Sequence, residues 1–194
     1  MISIERGTAM QYEGRLEGED IYLRSCLVSD CTEEYLSWLN DPQVNQYLET
    51  RWDKQSIESI SEFVGAMLKS QNDYLFAIIT KDDQGKHIGN IKIGPIHPRH
   101  TYADISYFLG DRVYWGKGLV TQAIDLVTRF GFDVLGLYRI QAGVYEKNIG
   151  SIRALQKSHF VHEATLRKQL LDANGNRQDH LFFGRLNEER DCSS

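Results

Sequence analysis

The 194-residue chain is long enough for one domain with a full core and short for two. Its 41% hydrophobic and 25% charged residues are ordinary for a globular protein, while a net charge of -5 argues against a nucleic-acid or anionic-membrane surface, which needs a basic field. Cys26, Cys31 and Cys192 lack metal-type spacing, and no apolar leader or membrane-length run is visible, so the expectation is a reduced, cytoplasmic setting without metal.

Residues 1–18 read as an arm and 19–186 as one domain, with 187–194 a frayed tail. Ile21-Tyr22-Leu23-Arg24 fits a first strand. Ser29, Asp30 and Thr32 offer N-caps for a helix carrying Tyr35, Leu36, Trp38 and Leu39, which Asn40-Asp41-Pro42 ends. Val44, Tyr47 and Leu48 suggest a further turn or two. Ile57, Ile60, Phe63, Val64, Met67 and Leu68 form an amphipathic stripe, a core-facing helix of about four turns. Tyr74 to Thr80 is a continuous apolar run of strand length, and a hairpin leads to Ile91 and Ile93, which alternate with Asn90 and Lys92. Residues 94–100, including His97 and His100, read as a turn before a strand over 103–109.

The stretch Tyr114-Trp115-Gly116-Lys117-Gly118-Leu119-Val120-Thr121 follows that strand, and Val120, Ala123, Ile124, Val127 and Gly131 after it fall at helical spacing. Strand, glycine loop and helix together gather free backbone N–H groups at the positive end of a helix dipole, where anions bind. A nucleotide P-loop does not fit, because Gly118 occupies the Ser/Thr position of that motif. Nor does a dinucleotide fingerprint, because residue 121 is Thr. The alternative reading of the loop is a tight turn with ordinary glycines.

Beyond the loop, Arg139 to Tyr145 alternates as a strand, and Asn148-Ile149-Gly150-Ser151 caps a short helix. Strands over roughly 161–170 and 178–186 flank the hairpin signal Asp172-Ala173-Asn174-Gly175-Asn176. The order predicts one α+β domain, a mostly antiparallel mixed sheet of about six or seven strands with about four helices. Its single parallel crossover is expected over 103–145.

This order, with Trp115-Gly116-Lys117-Gly118-Leu119-Val120 at its centre, resembles the GNAT superfamily of acyl-CoA-dependent N-acyltransferases over about residues 19–186. Asn148, Ser151 and Lys157-Ser158-His159-Phe160 are similar to the family's second motif. Trp38-Leu39-Asn40-Asp41-Pro42 and Tyr114-Trp115-Gly116-Lys117-Gly118 resemble the branch of the ribosomal-protein N-terminal acetyltransferases. That branch also includes amino-sugar and other small-molecule enzymes. The chain departs from the family pattern at Trp115, Val120 and His159, and at Leu155, where a tyrosine often serves as the acid.

The resemblance implies that acetyl-CoA lies with its pyrophosphate on the amides of residues 116–121 and its pantetheine arm beside Phe108, Leu109 and Asn148, with Lys117 adding charge. It also implies that a main-chain N–H near Phe108 faces the thioester oxygen. Asp104 is the first candidate base, with His97 and His100 as alternatives, and Tyr145 and Ser151 are candidate acids. Trp38, Tyr47, Arg51 and Trp52 are candidates to line the acceptor site, Arg51 by meeting a phosphate. The expected activity is direct acetyl transfer to a small-molecule amine, an amino sugar or nucleotide-linked amino sugar foremost. A protein N-terminal acetyltransferase and a non-catalytic acyl-CoA-binding module are the alternatives. Expected partners are the amine and, as an open option, a second copy of the chain.

Overall fold

The computed structural model describes residues 12–82 and 85–188. Eight strands form one sheet: β1 (Leu16–Glu17), β2 (Ile21–Ser25), β3 (Tyr74–Thr80), β4 (His87–His97), β5 (Tyr102–Leu109), β6 (Arg139–Tyr145), β7 (Val161–Leu171) and β8 (Arg177–Leu186). They lie in the order β1-β2-β3-β4-β5-β6-β8-β7, antiparallel throughout except for β5 against β6. The five helices are α1 (Glu33–Asn40), α2 (Pro42–Asn45), α3 (Ile57–Lys69), α4 (Leu119–Arg129) and α5 (Ile149–Lys157).

Side chains on a strand alternate between faces, and β3 shows how the sheet carries two cores. Phe76 and Ile78 pack with Ile124, Val127 and Leu155 of α4 and α5. Leu75, Ala77 and Ile79 pack on the opposite face with Tyr35, Trp38, Ile60 and Val64 of α1 and α3. Of the stripe read on α3, Ile60 and Val64 are core and Met67 and Leu68 pack against them, while Phe63 is exposed.

Three elements differ from the sequence reading. Strand β1 lies in the stretch taken as an arm, where Leu16 pairs with Leu23 and Glu17 with Tyr22. Strand β4 runs on to His97 through a register shift between Ile93 and Ile96, although 94–100 looked like a turn. The strand and helix counts are each slightly higher than expected, because β1 has two residues and α2 four.

The functional consequence of the topology lies between β5 and β6. These strands pair only at Tyr102 with Arg139, Ala103 with Ile140 and Asp104 with Gln141. Beyond that rung β5 stays with β4, and β6 with β8 as far as Tyr145. A parallel sheet would normally continue pairing; here a wedge opens through its middle.

Candidate active site

Each edge of the wedge carries main-chain groups without a strand partner across the gap. The amide of Gly110 donates to Ile88 O of β4 at 2.8 Å. Alternation along an antiparallel ladder then directs the peptide groups of Phe108 to Asn90 and turns those of Tyr107 and Leu109 towards the gap. The gap-facing main-chain N–H groups near Phe108 are those of Tyr107 and Leu109, because β4 occupies the Phe108 groups themselves.

The glycine loop stands at the open end of this wedge. Gly116 and Gly118 have φ of 76° and 80°, values that suit glycine, and a Cβ on either would meet nothing within 4 Å. Gly118 is the N-cap of α4 and brings no side chain to it. Helices α1, α2, α3 and α5 are capped by Thr32, Asp41, Ser56 and Asn148. The first-turn N–H groups of α4, from Leu119, Val120 and Thr121, therefore stay available in an open cradle for an anion. Trp115 anchors the loop by donating from Nε1 to Leu109 O at 2.8 Å. The Lys117 ammonium rests 4.9 Å from the centre of the Tyr114 ring.

Inside the wedge and beneath α1 and α3 lies a cavity of about 600 Å³. Its apolar walls come from Leu39, Leu48, Ile60, Phe63, Leu75 and Leu170. Of the residues expected at the site, it brings together Phe108, Tyr145, Asn148, Ser151 and Tyr47. The Tyr47 hydroxyl donates to Lys147 O, and its ring lies 5.6 Å from that of Tyr145.

Four expected site residues fall elsewhere. Asp104 sits at the last closed rung, accepting from Gln141 Nε2 at 3.1 Å, and does not line the cavity. Trp38 is core: it packs on Tyr35 and His87, and Gly110 abuts its ring. Arg51 has a side chain only 3% exposed and donates to the carbonyls of Leu48 and Leu171 and to Tyr145 Oη. Its guanidinium also stacks on Trp52, so no face is left for a phosphate. Trp52 is half-exposed, donates to Glu49 and lies off the cavity. The alternative bases fare no better: His97 stacks on Tyr102, and neither it nor His100 reaches the cavity.

Three cavity residues were not singled out from sequence. Tyr107 Oη lies 2.6 Å from Ser151 Oγ, joining β5 to α5 across the gap. Burial pushes the Tyr107 phenol well above its usual range, so it stays protonated, although the Ser151 bond opposes the shift. Glu49 accepts from Tyr145 Oη at 2.7 Å. Burial alone would raise the Glu49 carboxyl, yet bonds from Tyr145 and Trp52 and the Arg51 charge hold it below its ordinary value. Burial, then the bond to Glu49, raises the Tyr145 phenol despite the opposing Arg51. His180 enters from β8, and burial keeps its imidazole below the usual value, with Glu49 offsetting part of the effect.

An uncapped helix behind a glycine loop, a wedge lined by free peptide groups, and a cavity on the far side define a protein that holds an extended, phosphate-bearing thioester and a second substrate. The chain belongs to the GNAT acetyltransferases: the family model described as an acetyltransferase (GNAT) domain matches residues 20–161. The chain is 31% identical to the probable N-acetyltransferase YjcK of Bacillus subtilis, across 90% of this chain and 98% of that one. Its fold is similar to that of the Vibrio cholerae spermidine N-acetyltransferase in complex with CoA and spermine. That match has a TM-score of 0.76 and 20% identity over 87% of this chain and 96% of the other. The ribosomal-protein-S5-alanine acetyltransferase of Vibrio fischeri gives 0.73 at 24% identity, covering 91% and 98%. The activity is acyl transfer from acetyl-CoA, and the open α4 cradle fits the pyrophosphate of that substrate. Among the described residues no group of three or more histidines, cysteines or acids is placed to hold a metal. No helix there is long and apolar enough to cross a membrane.

Proposed function

We propose that this enzyme acetylates the primary amine of a small monoamine with a largely apolar body, by direct transfer while both substrates are bound. The observation that carries this reading is the charge in the cavity. Among the described residues Glu49 is the sole carboxylate lining the cavity, and its side chain is 71% exposed. The one lining cation among the described residues, Lys92, is bound to Asp73 at 3.0 Å. An ammonium group thus meets one anion among aromatic and aliphatic walls. A nucleotide-linked sugar would find no free cation among the described lining residues for its phosphates, since Arg51 is committed to two carbonyl groups and Tyr145 Oη. A polyamine would find one carboxylate for several charges.

Direct transfer is supported by the two described cysteines, neither of which lines the cavity. Cys26 is buried against Asn90 Nδ2, and burial pushes its thiol up to about 12, while Cys31 lies off the cavity. The amine nitrogen attacks the thioester carbonyl carbon, and the gap-facing N–H groups of Tyr107 and Leu109 supply donors for the developing oxyanion. The C–S bond then breaks, and the sulfur takes a proton from the Ser151 hydroxyl, which Tyr107 Oη polarises by donating to it. A thiol titrates near 8.5, so this acid assists only modestly.

The test is thiol release from acetyl-CoA with 2-phenylethylamine, spermidine, a nucleotide-linked amino sugar and an alanine-initiated peptide. The monoamine should give the highest kcat/KM. Faster turnover of the nucleotide sugar or the peptide would overturn the substrate class. Thiol release that no amine stimulates would instead leave an acyl-CoA-binding module.

A further inference from the structure

Acetyl transfer at neutral pH needs a group to remove a proton from the acceptor ammonium, and Asp104 is walled off from the cavity. Resting on the reading above, we propose that His180 is that group, with Nε2 as the proton acceptor. Its geometry specifies the tautomer. Nδ1 lies 2.6 Å from Gln169 Oε1, and an amide oxygen only accepts, so Nδ1 carries the proton and Nε2 bears the lone pair.

The fold positions that ring at the cavity. In the β6–β8 register Gly143 faces Phe182 and Tyr145 faces His180. The imidazole folds back from its own rung over Gly143, so that a Cβ at position 143 would lie 2.1 Å from Nε2. Gly143 itself lines the cavity beside Ser106 of the opposite wedge edge. Nε2 therefore rests against Gly143 at the edge where β6 leaves β5, bordering the space an acceptor amine must reach to meet a thioester in the gap. The Phe182 ring, 4.4 Å away, backs the imidazole.

The gripping residue, Gln169, comes from an irregular part of β7. Between Leu166 opposite His180 and Leu170 opposite Gln178, four steps along β7 span two along β8. The extra residues include Lys168 at φ 56°, held by Asp179, which accepts from its N–H at 2.9 Å. This bulge turns Gln169 under the imidazole.

The charged and titratable groups around His180 are few. Glu49 faces it from the 49–52 turn and Tyr145 from β6; on β7 and β8, Lys168 and Asp179 are paired with each other at 3.4 Å. Glu49 holds the ammonium and stabilises the imidazolium once it forms. In the complete step the ammonium gives one proton to Nε2, and the freed lone pair makes the C–N bond. The second amine proton replaces the one that Ser151 passed to sulfur. The products are the amide, CoA thiol and a proton released from His180.

The experiment pairs ¹⁵N NMR of the parent imidazole with kinetics of His180→Gln and His180→Ala, using acetyl-CoA and 2-phenylethylamine. At pH 7 the imidazole should be the Nδ1–H tautomer, and its Nε2 resonance should move on adding the amine. Both variants should keep the CoA-induced thermal shift and lose about a hundredfold in kcat at pH 7, a typical size for a general base. The deficit should narrow as pH rises and free amine accumulates. A proton on Nε2, or a parent-like rate and pH profile in His180→Gln, would overturn the assignment. If the parent releases no thiol but Nε2 responds to the amine, His180 stands as the amine contact and the transfer reading falls. No response overturns His180 as well.

Discussion

Replacing Gly118 by Asp separates the anion role of the loop from its folding role. A Cβ there meets no atom within 4 Å, so the backbone sets the cost: φ is 80°, a region aspartate enters more readily than most residues. The expected loss is about 1 kcal/mol, or roughly 2–4 °C in Tm for a chain of this size. The effect on CoA is larger. A carboxylate at the mouth of α4 displaces a phosphate oxygen, and one charge-assisted hydrogen bond is worth about 1.5–3 kcal/mol, so affinity should fall about a hundredfold. At a CoA concentration of about one hundred times the parent Kd, the parent gains about 2.7 kcal/mol, or roughly 5–11 °C. The variant at the same concentration gains only about 0.4 kcal/mol, less than about 2 °C. Thermal unfolding with and without CoA reads both numbers. Equal CoA-induced shifts in the two proteins would remove the phosphate from this loop.

Tyr107→Phe and Ser151→Ala should each lower kcat about tenfold or more, and the double variant should fall little further, because the pair acts as one unit; additive losses would separate the two hydroxyls. Gly143→Ala drives a methyl group onto His180 Nε2, so kcat should drop towards that of His180→Ala while CoA binding is retained, as steady-state kinetics with CoA thermal shifts would show. Burial lowers the folded-state values of both His87 and His180 below 6.5, so the unfolded chain binds more protons just below that pH. Stability is therefore full above about pH 6.5 and falls as pH drops towards the folded values. Tm measured at pH 7 and 5.5 should show that drop, smaller in His180→Gln; an equal drop would mean that His180 titrates as in the unfolded chain.

Much of the fold was legible because its signals are local. The α3 stripe, the β3 apolar run and the glycine loop each declare themselves within a dozen residues. The glycine loop ahead of α4 was legible for the same reason, and it does place Gly116 and Gly118 at positive φ before an uncapped first turn. The acceptor side was not legible, because it is assembled from distant rungs. Asp104 has the right chemistry in the right strand, but it falls on the last closed rung, two residues short of Ser106 at the cavity. Arg51 looked available because sequence shows a cation and not the carbonyls of Leu48 and Leu171 that surround it. Glu49 stands in no sequence motif. His180 lay in the expected 178–186 strand but in no motif, and only its register with Tyr145 and the bare Gly143 beside it reveal a site. Trp38 illustrates the general hazard: a large aromatic near a site is more often its foundation than its lining.

The irregular β7 also bears on how the molecule behaves in a crowd. It is the outermost strand of the sheet, eleven residues long, with Val161, Leu166 and Leu171 exposed. A straight edge of that kind is a template on which another chain can add a strand. Here the ladder is broken twice, between His162 and Ala164 and again between Leu166 and Leu170, with a lysine in a left-handed conformation inside the second break. No uninterrupted run of β7 is long enough to seed extended pairing. The distortion that seats Gln169 beneath His180 thus also guards the sheet against growth, and a deletion that straightened β7 would forfeit catalysis and solubility together.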